Sequence, residues 1–314
     1  MKAIMFREFG GPEKLDIKNI DIPQPAPSEI LLEVKAAGVN PVDWKIREGY
    51  LSGVLPHQFP IIPGWDVAGV VQSCGIGVTS LQPGDEIWSY CRRDIVQHGS
   101  YAEYMVLPEH LAARKPKNLS FQQAAAIPLA GLTAYQALFE ACDLQSGQTV
   151  LIQAAAGGVG HLAVQLAKKS GARVIGTASS ANHDFLKQLG ADVMIDYQKE
   201  DVNSAVRTAC PGGVDSVFDC VGGDVTEQSA EVLAGNGRLV TIVSLTGLDK
   251  VKEKGIDARS VFVRPDLEQL NRLSAMAENN ELFVHIEKGF PLVSAADAQV
   301  ESQKGHVRGK LVLG

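Results

Sequence analysis

The sequence predicts an α/β protein of two domains, one a doubly wound parallel sheet covered by helices, the other an antiparallel, barrel-like β domain. Three observations predict it. From about residue 119 to 266, short apolar runs alternate with stretches of 3.6-residue period, the pattern of repeated strand–helix–strand units. Residues 1 to about 118 instead read as short strands between Gly/Pro turns. The period changes near Pro116, and 314 residues are enough for two cores.

In chain order, the first domain is read as strands at Ala3–Phe9, Ile30–Ala36, Asp66–Val71, Glu86–Tyr90 and Tyr101–Val106. Two segments interrupt them. Val39–Tyr50 carries a proline followed by a mixed polar helical turn, and Leu51–Pro63 carries three prolines and His57, so both are read as irregular loops of the kind that carry function. Ser120 and Gln123 form a capping box that opens the next helix, and Leu129–Cys142 continues helical.

The second domain is organised around Thr149–Gly171. An apolar strand runs to Ala154, a turn of small residues follows, and an apolar 3.6-residue pattern runs through Val159, Leu162, Ala163, Leu166 and Ala167. Such a strand–turn–helix suits phosphate: Gly157 and Gly160 let the backbone approach a pyrophosphate at the helix N-terminus and the helix pack close to the strand. Gly158 and Val159 between them are cofactor-side candidates, and Ala155 stands in the first glycine's place. Close helix packing alone accounts equally well for the motif by itself, and the βαβ length of the unit favours the phosphate reading. No Lys follows Gly160, which argues against a nucleoside-triphosphate loop. Strands at Arg173–Thr177, Val193–Asp196, Val214–Cys220, Arg238–Ser244 and Ser260–Arg264 alternate with helices at Ala181–Leu189, Val202–Ala209, Val225–Leu233 and Asp266–Asn279. The third of these helices is given a capping box, Asp224 with Glu227. Phe283–Glu287 and Lys310–Leu313 are too short to fold alone and are assigned to complete the first domain.

Composition narrows the function. A formal charge of −7 provides no electrostatic footprint for nucleic acid or anionic lipid. The apolar stretch Ala124–Phe139 is broken by Pro128, Thr133, Tyr135 and Gln136, so no membrane span is expected. The N-terminus enters a strand pattern without a signal sequence, and five cysteines without C-x-x-C spacing point to a reducing, cytoplasmic setting.

Several stretches together resemble the zinc-independent quinone oxidoreductases and enone reductases of the medium-chain dehydrogenase/reductase superfamily. They are AAGVNPVDW (Ala36–Trp44), PGWDVAGVV (Pro63–Val71), GDEIW (Gly84–Trp88), GSYAEY (Gly99–Tyr104), PLAGLTAYQAL (Pro128–Leu138), AAAGGVG (Ala154–Gly160), FDCVGG (Phe218–Gly223) and GHVRGKLVL (Gly305–Leu313). The resemblance runs end to end. It implies a GroES-like antiparallel β-barrel catalytic domain, 1–118 completed by 267–314, and a Rossmann NADP-binding domain, 119–266. It implies no zinc, because the positions where alcohol dehydrogenases of the superfamily place Cys and His read Asn40 and Trp65, and the lobe for four clustered cysteines has only Cys91.

The implied reaction is NADPH-dependent reduction of quinones or α,β-unsaturated carbonyls. A non-catalytic NADPH-binding relative, structural or RNA-associated, is the alternative, and a zinc alcohol dehydrogenase is disfavoured. Asn40, Lys45 and Tyr50 are the catalytic candidates: Asn40 as donor to the ribose or the substrate carbonyl, Lys45 as nearby positive charge, Tyr50 as proton source or stacking ring. For Lys45 an exposed lysine beside Arg47 is the plainer reading, and Asp43 is read as ordering the loop. The second Rossmann strand ends without the acid that would accept from a ribose 2′-hydroxyl, so Ser179, Ser180 and His183 are candidates for a 2′-phosphate, although the serines also suit a helix cap. Tyr197 matches a position beside that phosphate or is a packing tyrosine. Thr133, Val221 and Ser244 match residues lining the nicotinamide, and Arg308, Gly309 and Lys310 match a segment closing over the cofactor. A homodimer is expected through an apolar edge strand at Val261–Val263.

Overall fold

The computed structural model describes residues 1–243 and 245–314, so the expectation for Ser244 lies outside the described residues. The chain divides into two units. The first comprises Met1–Leu129, Pro265–Asn280 and Val284–Gly314; the second comprises Ala130–Arg264 and Glu281–Phe283. The first unit thus runs on past residue 118, because the short helix Phe121–Ala125, capped as expected by Ser120 Oγ accepting from Gln123 N, packs with its strands.

The first unit is built on Glu29–Val39, an 11-residue strand that pairs antiparallel with Asp66–Cys74, with Tyr104–Pro108 and with Lys310–Leu313. Ile286–Phe290 extends the sheet on one side, Glu86–Tyr90 and Ala113–Arg114 on the other. Alternating inward residues, Ile30, Leu32, Val67, Val71, Ile87, Met105 and Leu107, form its core. Two segments differ from expectation. The region read as a loop around His57 contains a strand, His57–Ile62, paired in parallel with Val96–His98; its prolines are accommodated because it is outside the main sheet. The C-terminal strand expected at Phe283–Glu287 lies at Ile286–Phe290, where it finds Lys310–Leu313 as partner.

In the second unit the strands are β1 (Thr149–Ile152), β2 (Arg173–Thr177), β3 (Val193–Ile195), β4 (Val214–Asp219), β5 (Leu233–Thr241) and β6 (Asp257–Ser260). Their order across the sheet is β3-β2-β1-β4-β5-β6, all parallel, so the direction of winding reverses beside β1. Leu151, Ile175, Ile195, Val217, Leu239 and Ala258, one from each strand, share a core.

Three details correct the sequence reading. Val261–Val263 is not the edge strand: β6 ends at Ser260 because its partner β5 ends at Thr241, and Val261 N, which donates to Thr241 O, makes the final rung. The edge strand is therefore the charged Asp257–Ser260, with Arg259 Nη2 donating to Asp257 Oδ2 at 2.7 Å. Likewise Asp224 does not cap the helix Asp224–Ala230, which starts from Gly223 at φ 63°. The turn is tied instead by Asp219, whose Oδ1 accepts from Val221 N and Gly222 N and whose Oδ2 accepts from Thr226 Oγ1. That helix ends early enough for Leu233 to begin β5.

Candidate functional site

The phosphate loop sits at the C-terminal end of β1, in the second unit. Ala154 takes φ 50°, Ala155 N donates to Thr177 O at 2.9 Å, and Gly157 N donates to Ala154 O at 2.9 Å, which folds the loop back onto β2. Gln153 braces it, accepting from Thr177 Oγ1 at 2.6 Å and donating to Ser229 Oγ at 2.8 Å. Helix α1 (Gly160–Lys169) follows. A side chain at 160 would place its Cβ 2.3 Å from Ala154 O, so only glycine lets the helix start this close to the strand. The first N–H to close on the helix is that of His161, onto Gly157 O, and the N–H groups of Gly158, Val159 and Gly160 precede it. Gly158, Val159 and Gly160 therefore provide the backbone donors of a small-residue cradle, with Gly157 N already spent on Ala154 O, and the cradle fits a pyrophosphate.

At the end of β2, Ser179 and Ser180 come together with residues the sequence reading passed over. Ser180 donates both its N–H, at 3.1 Å, and its hydroxyl to Asp196 Oδ2; Gln198 N donates to Asp196 Oδ1 at 3.0 Å. Ser180 Oγ accepts from Lys199 Nζ at 2.6 Å. These bonds, the Ser180 hydroxyl first, hold the Asp196 carboxyl down at about 2. Ser179 Oγ accepts from Asn182 Nδ2 at 3.3 Å, while His183 Nε2 is 3.3 Å from Ala178 O and Tyr197 is half exposed. Thr133 is buried, and Val221 presents an exposed side chain.

In the first unit Asn40 precedes the helix Pro41–Arg47. Pro41 supplies the fixed φ of a first helical residue, and Asp43 Oδ2 reaches back to accept from Asn40 N at 2.8 Å. The Asn40 carboxamide is buried between opposite charges: Nδ2 donates to Asp66 Oδ2 at 2.9 Å, and Oδ1 accepts from Lys310 Nζ. Lys310 lies 3.8 Å from Asp66 Oδ2, and Asp66 Oδ1 accepts from Leu129 N at 2.7 Å. Tyr101 Oη donates to Asp43 Oδ2 at 2.9 Å.

Burial dominates the titration of the cluster. It pushes the Asp43 carboxyl up to about 7, raises that of Asp66 and lowers the Lys310 ammonium, whose remaining neighbours act the other way. The Lys310 side chain is 3 % exposed, inside the unit, so it is not a solvated basic side chain. The desolvated carboxylates of Asp66 and Asp43 draw it in. Gly309 turns at φ 67°, and Arg308 Nε donates to His285 Nε2 at 3.3 Å and lies 3.8 Å from Glu287 Oε2.

Of the other two catalytic candidates, Lys45 lies on this helix and Tyr50 just beyond it. Lys45 is half-buried, its ammonium 5.7 Å from the Trp44 ring centroid and its pKa lowered by burial. Its neighbour Arg47 is not a surface group at all, being fully buried and donating to Gly10 O, Gln299 Oε1 and Glu48 Oε1. Tyr50 is 66 % exposed and meets Trp44 edge-on at 6.0 Å. Among the described residues no three His, Cys, Asp or Glu side chains are grouped as metal ligands, and no helix is long and apolar enough to cross a membrane.

Comparison with known proteins is consistent along the whole chain. Residues 26–117 match the alcohol dehydrogenase GroES-like domain family, and residues 189–313 match the zinc-binding dehydrogenase family. The chain is 35 % identical over 322 residues to a chloroplastic NADPH-dependent alkenal/one oxidoreductase of Arabidopsis thaliana, covering 100 % of this chain and 79 % of that protein. Among solved structures, the quinone oxidoreductase from Coxiella burnetii superposes with a TM-score of 0.89 at 38 % identity, with 100 % and 98 % of the two chains covered. An NAD-dependent alcohol dehydrogenase superposes with a TM-score of 0.91 at 34 % identity, covering 100 % and 99 %.

Proposed function

Because this chain belongs to the quinone oxidoreductase and enone reductase family of the medium-chain dehydrogenase/reductase superfamily, and is an oxidoreductase, we propose that it is an NADPH-dependent, zinc-independent reductase of quinones or α,β-unsaturated carbonyls. The observation that carries this reading is the Asn40–Lys310 contact. Where zinc relatives have a thiolate stands a neutral carboxamide whose oxygen already holds an ammonium, and Trp65 supplies no metal-binding nitrogen. A divalent cation there would meet positive charge instead of a thiolate and an imidazole. The same polar cluster suits hydrogen bonding to oxygen.

Bound NADPH supplies the hydride. As a quinone or enone is reduced, negative charge grows on its carbonyl oxygen, and the protein must present donors to it. Asn40 Nδ2 carries two hydrogens, of which Asp66 takes one; the second is the donor in this reading. Lys45, partly desolvated beside Trp44, adds positive charge, and Tyr50 or water returns the proton. The glycine cradle at the start of α1 holds the pyrophosphate, and the absence of an acid at the end of β2 favours a 2′-phosphate. The reading includes a homodimer, checked by mass in solution; the apolar edge at Val261–Val263 first expected to form it is not a strand.

The deciding experiment follows nucleotide oxidation at 340 nm with a panel of quinones and enones. NADPH is expected to be consumed with a preference over NADH of about tenfold or more, the worth of a charge-assisted hydrogen bond or two. NADPH fluorescence quenched by binding, but no consumption with any member of the panel, would refute it.

A further inference from the structure

We propose that Lys199, on the turn after β3, is the residue that selects a 2′-phosphate, and that Asp196 is its buried anchor and not an acceptor for a ribose 2′-hydroxyl. This deepens the NADPH reading above and rests on it.

β2 ends at Thr177, which pairs in parallel with Ile195, so the residues following Ile195 lie beside those following Thr177. In a doubly wound sheet the adenosine ribose falls at the end of the second strand, where an exposed acid accepts from a 2′-hydroxyl. β3 does bring an acid to this place, but Asp196 is only 4 % exposed, and its oxygens are engaged by Ser180 N, the Ser180 hydroxyl and Gln198 N. Its negative charge is turned inward.

Ser180 spends its one hydroxyl proton on Asp196, so towards any other group its Oγ acts as an acceptor. That removes Ser180 as a phosphate donor, the role expected of it from the sequence. It does accept from Lys199 Nζ, which is also 3.5 Å from Asp196 Oδ2. The result is a buried negative end and an exposed positive end, since the Lys199 side chain is 71 % exposed. An ammonium has three donors; Ser180 takes one and Asp196 stands at ion-pair distance, which leaves at least one for an anion. Ser179, whose Oγ accepts from Asn182, keeps its own proton to add a second bond.

The test uses 2′,5′-ADP and 5′-AMP as probes, with NADPH and NADH alongside, titrated by calorimetry and fluorescence on the full chain. Lys199→Gln should weaken 2′,5′-ADP and NADPH about tenfold, the scale of a charge-assisted bond, and leave 5′-AMP and NADH unchanged. Lys199→Arg should retain the preference. If the unsubstituted protein prefers 2′,5′-ADP and Lys199→Gln keeps that preference, the assignment of Lys199 falls while the NADPH reading stands. If the unsubstituted protein binds both probes equally, the NADPH reading itself falls.

Discussion

Replacing Lys310 by Met separates two roles for this residue that leave different traces. As a cofactor clamp it would contribute to nucleotide affinity and little to stability. As the buried counter-ion found here it contributes mainly to stability. Its ammonium is 3.8 Å from Asp66 Oδ2, with 3 % and 0 % of the two side chains exposed. At an effective dielectric of about 20 that pair is worth roughly 4 kcal/mol, and breaking a buried pair by removing one partner costs about 3–5 kcal/mol.

Met at 310 also leaves Asn40 Oδ1 without its donor. The loss is expected to depend on pH. Without the ammonium, the folded-state pKa of Asp66, already raised by burial, rises further above its unfolded value. A carboxyl raised in the folded state loses stability as pH climbs from the unfolded pKa to the folded one, so the variant should be hurt more at pH 8 than at pH 5.

The assay is urea unfolding followed by tryptophan fluorescence, which reports this unit because all three tryptophans, Trp44, Trp65 and Trp88, lie in it. Lys310→Met with Asp66→Asn should regain part of the loss. A cost under about 1 kcal/mol, together with NADPH affinity weakened tenfold, would refute the counter-ion argument.

Three further outcomes are expected. Asp43, held at about 7 against an ordinary 3.8, should make stability fall as pH rises from about 4 to 7, by at most about 4 kcal/mol, and Asp43→Asn should flatten that slope in pH-dependent unfolding. Gly160→Ala should cost about 1–3 kcal/mol by overpacking against Ala154 O and lower NADPH affinity, read as melting temperature and Kd together. Asn40→Ala should lower kcat by about 10²–10³ with NADPH Kd little changed, at a stability cost of about 1–3 kcal/mol from the partners it strands; full kcat with both a quinone and an enone would reduce Asn40 to a structural residue.

What the sequence by itself determined is local. Strand–helix alternation, the glycines at 157 and 160, Ser120 with Gln123 and Pro41 after Asn40 each act through backbone conformation or a bond within a few residues, and periodicity exposes them directly. The same local logic misplaced the edge strand at Val261–Val263, since apolar content says nothing about where the neighbouring β5 ends.

Only the tertiary structure decided what the charged residues do. Lys310, Asp66 and Asn40 look like a basic turn, a motif acid and a loop amide; once desolvated together they become a buried network, because charge without water needs opposite charge or hydrogen bonds. Lys199 and Ser180 likewise have no shared sequence signature. They meet because parallel pairing of β2 with β3 sets the ends of two strands side by side, a register fixed by long-range packing of the sheet.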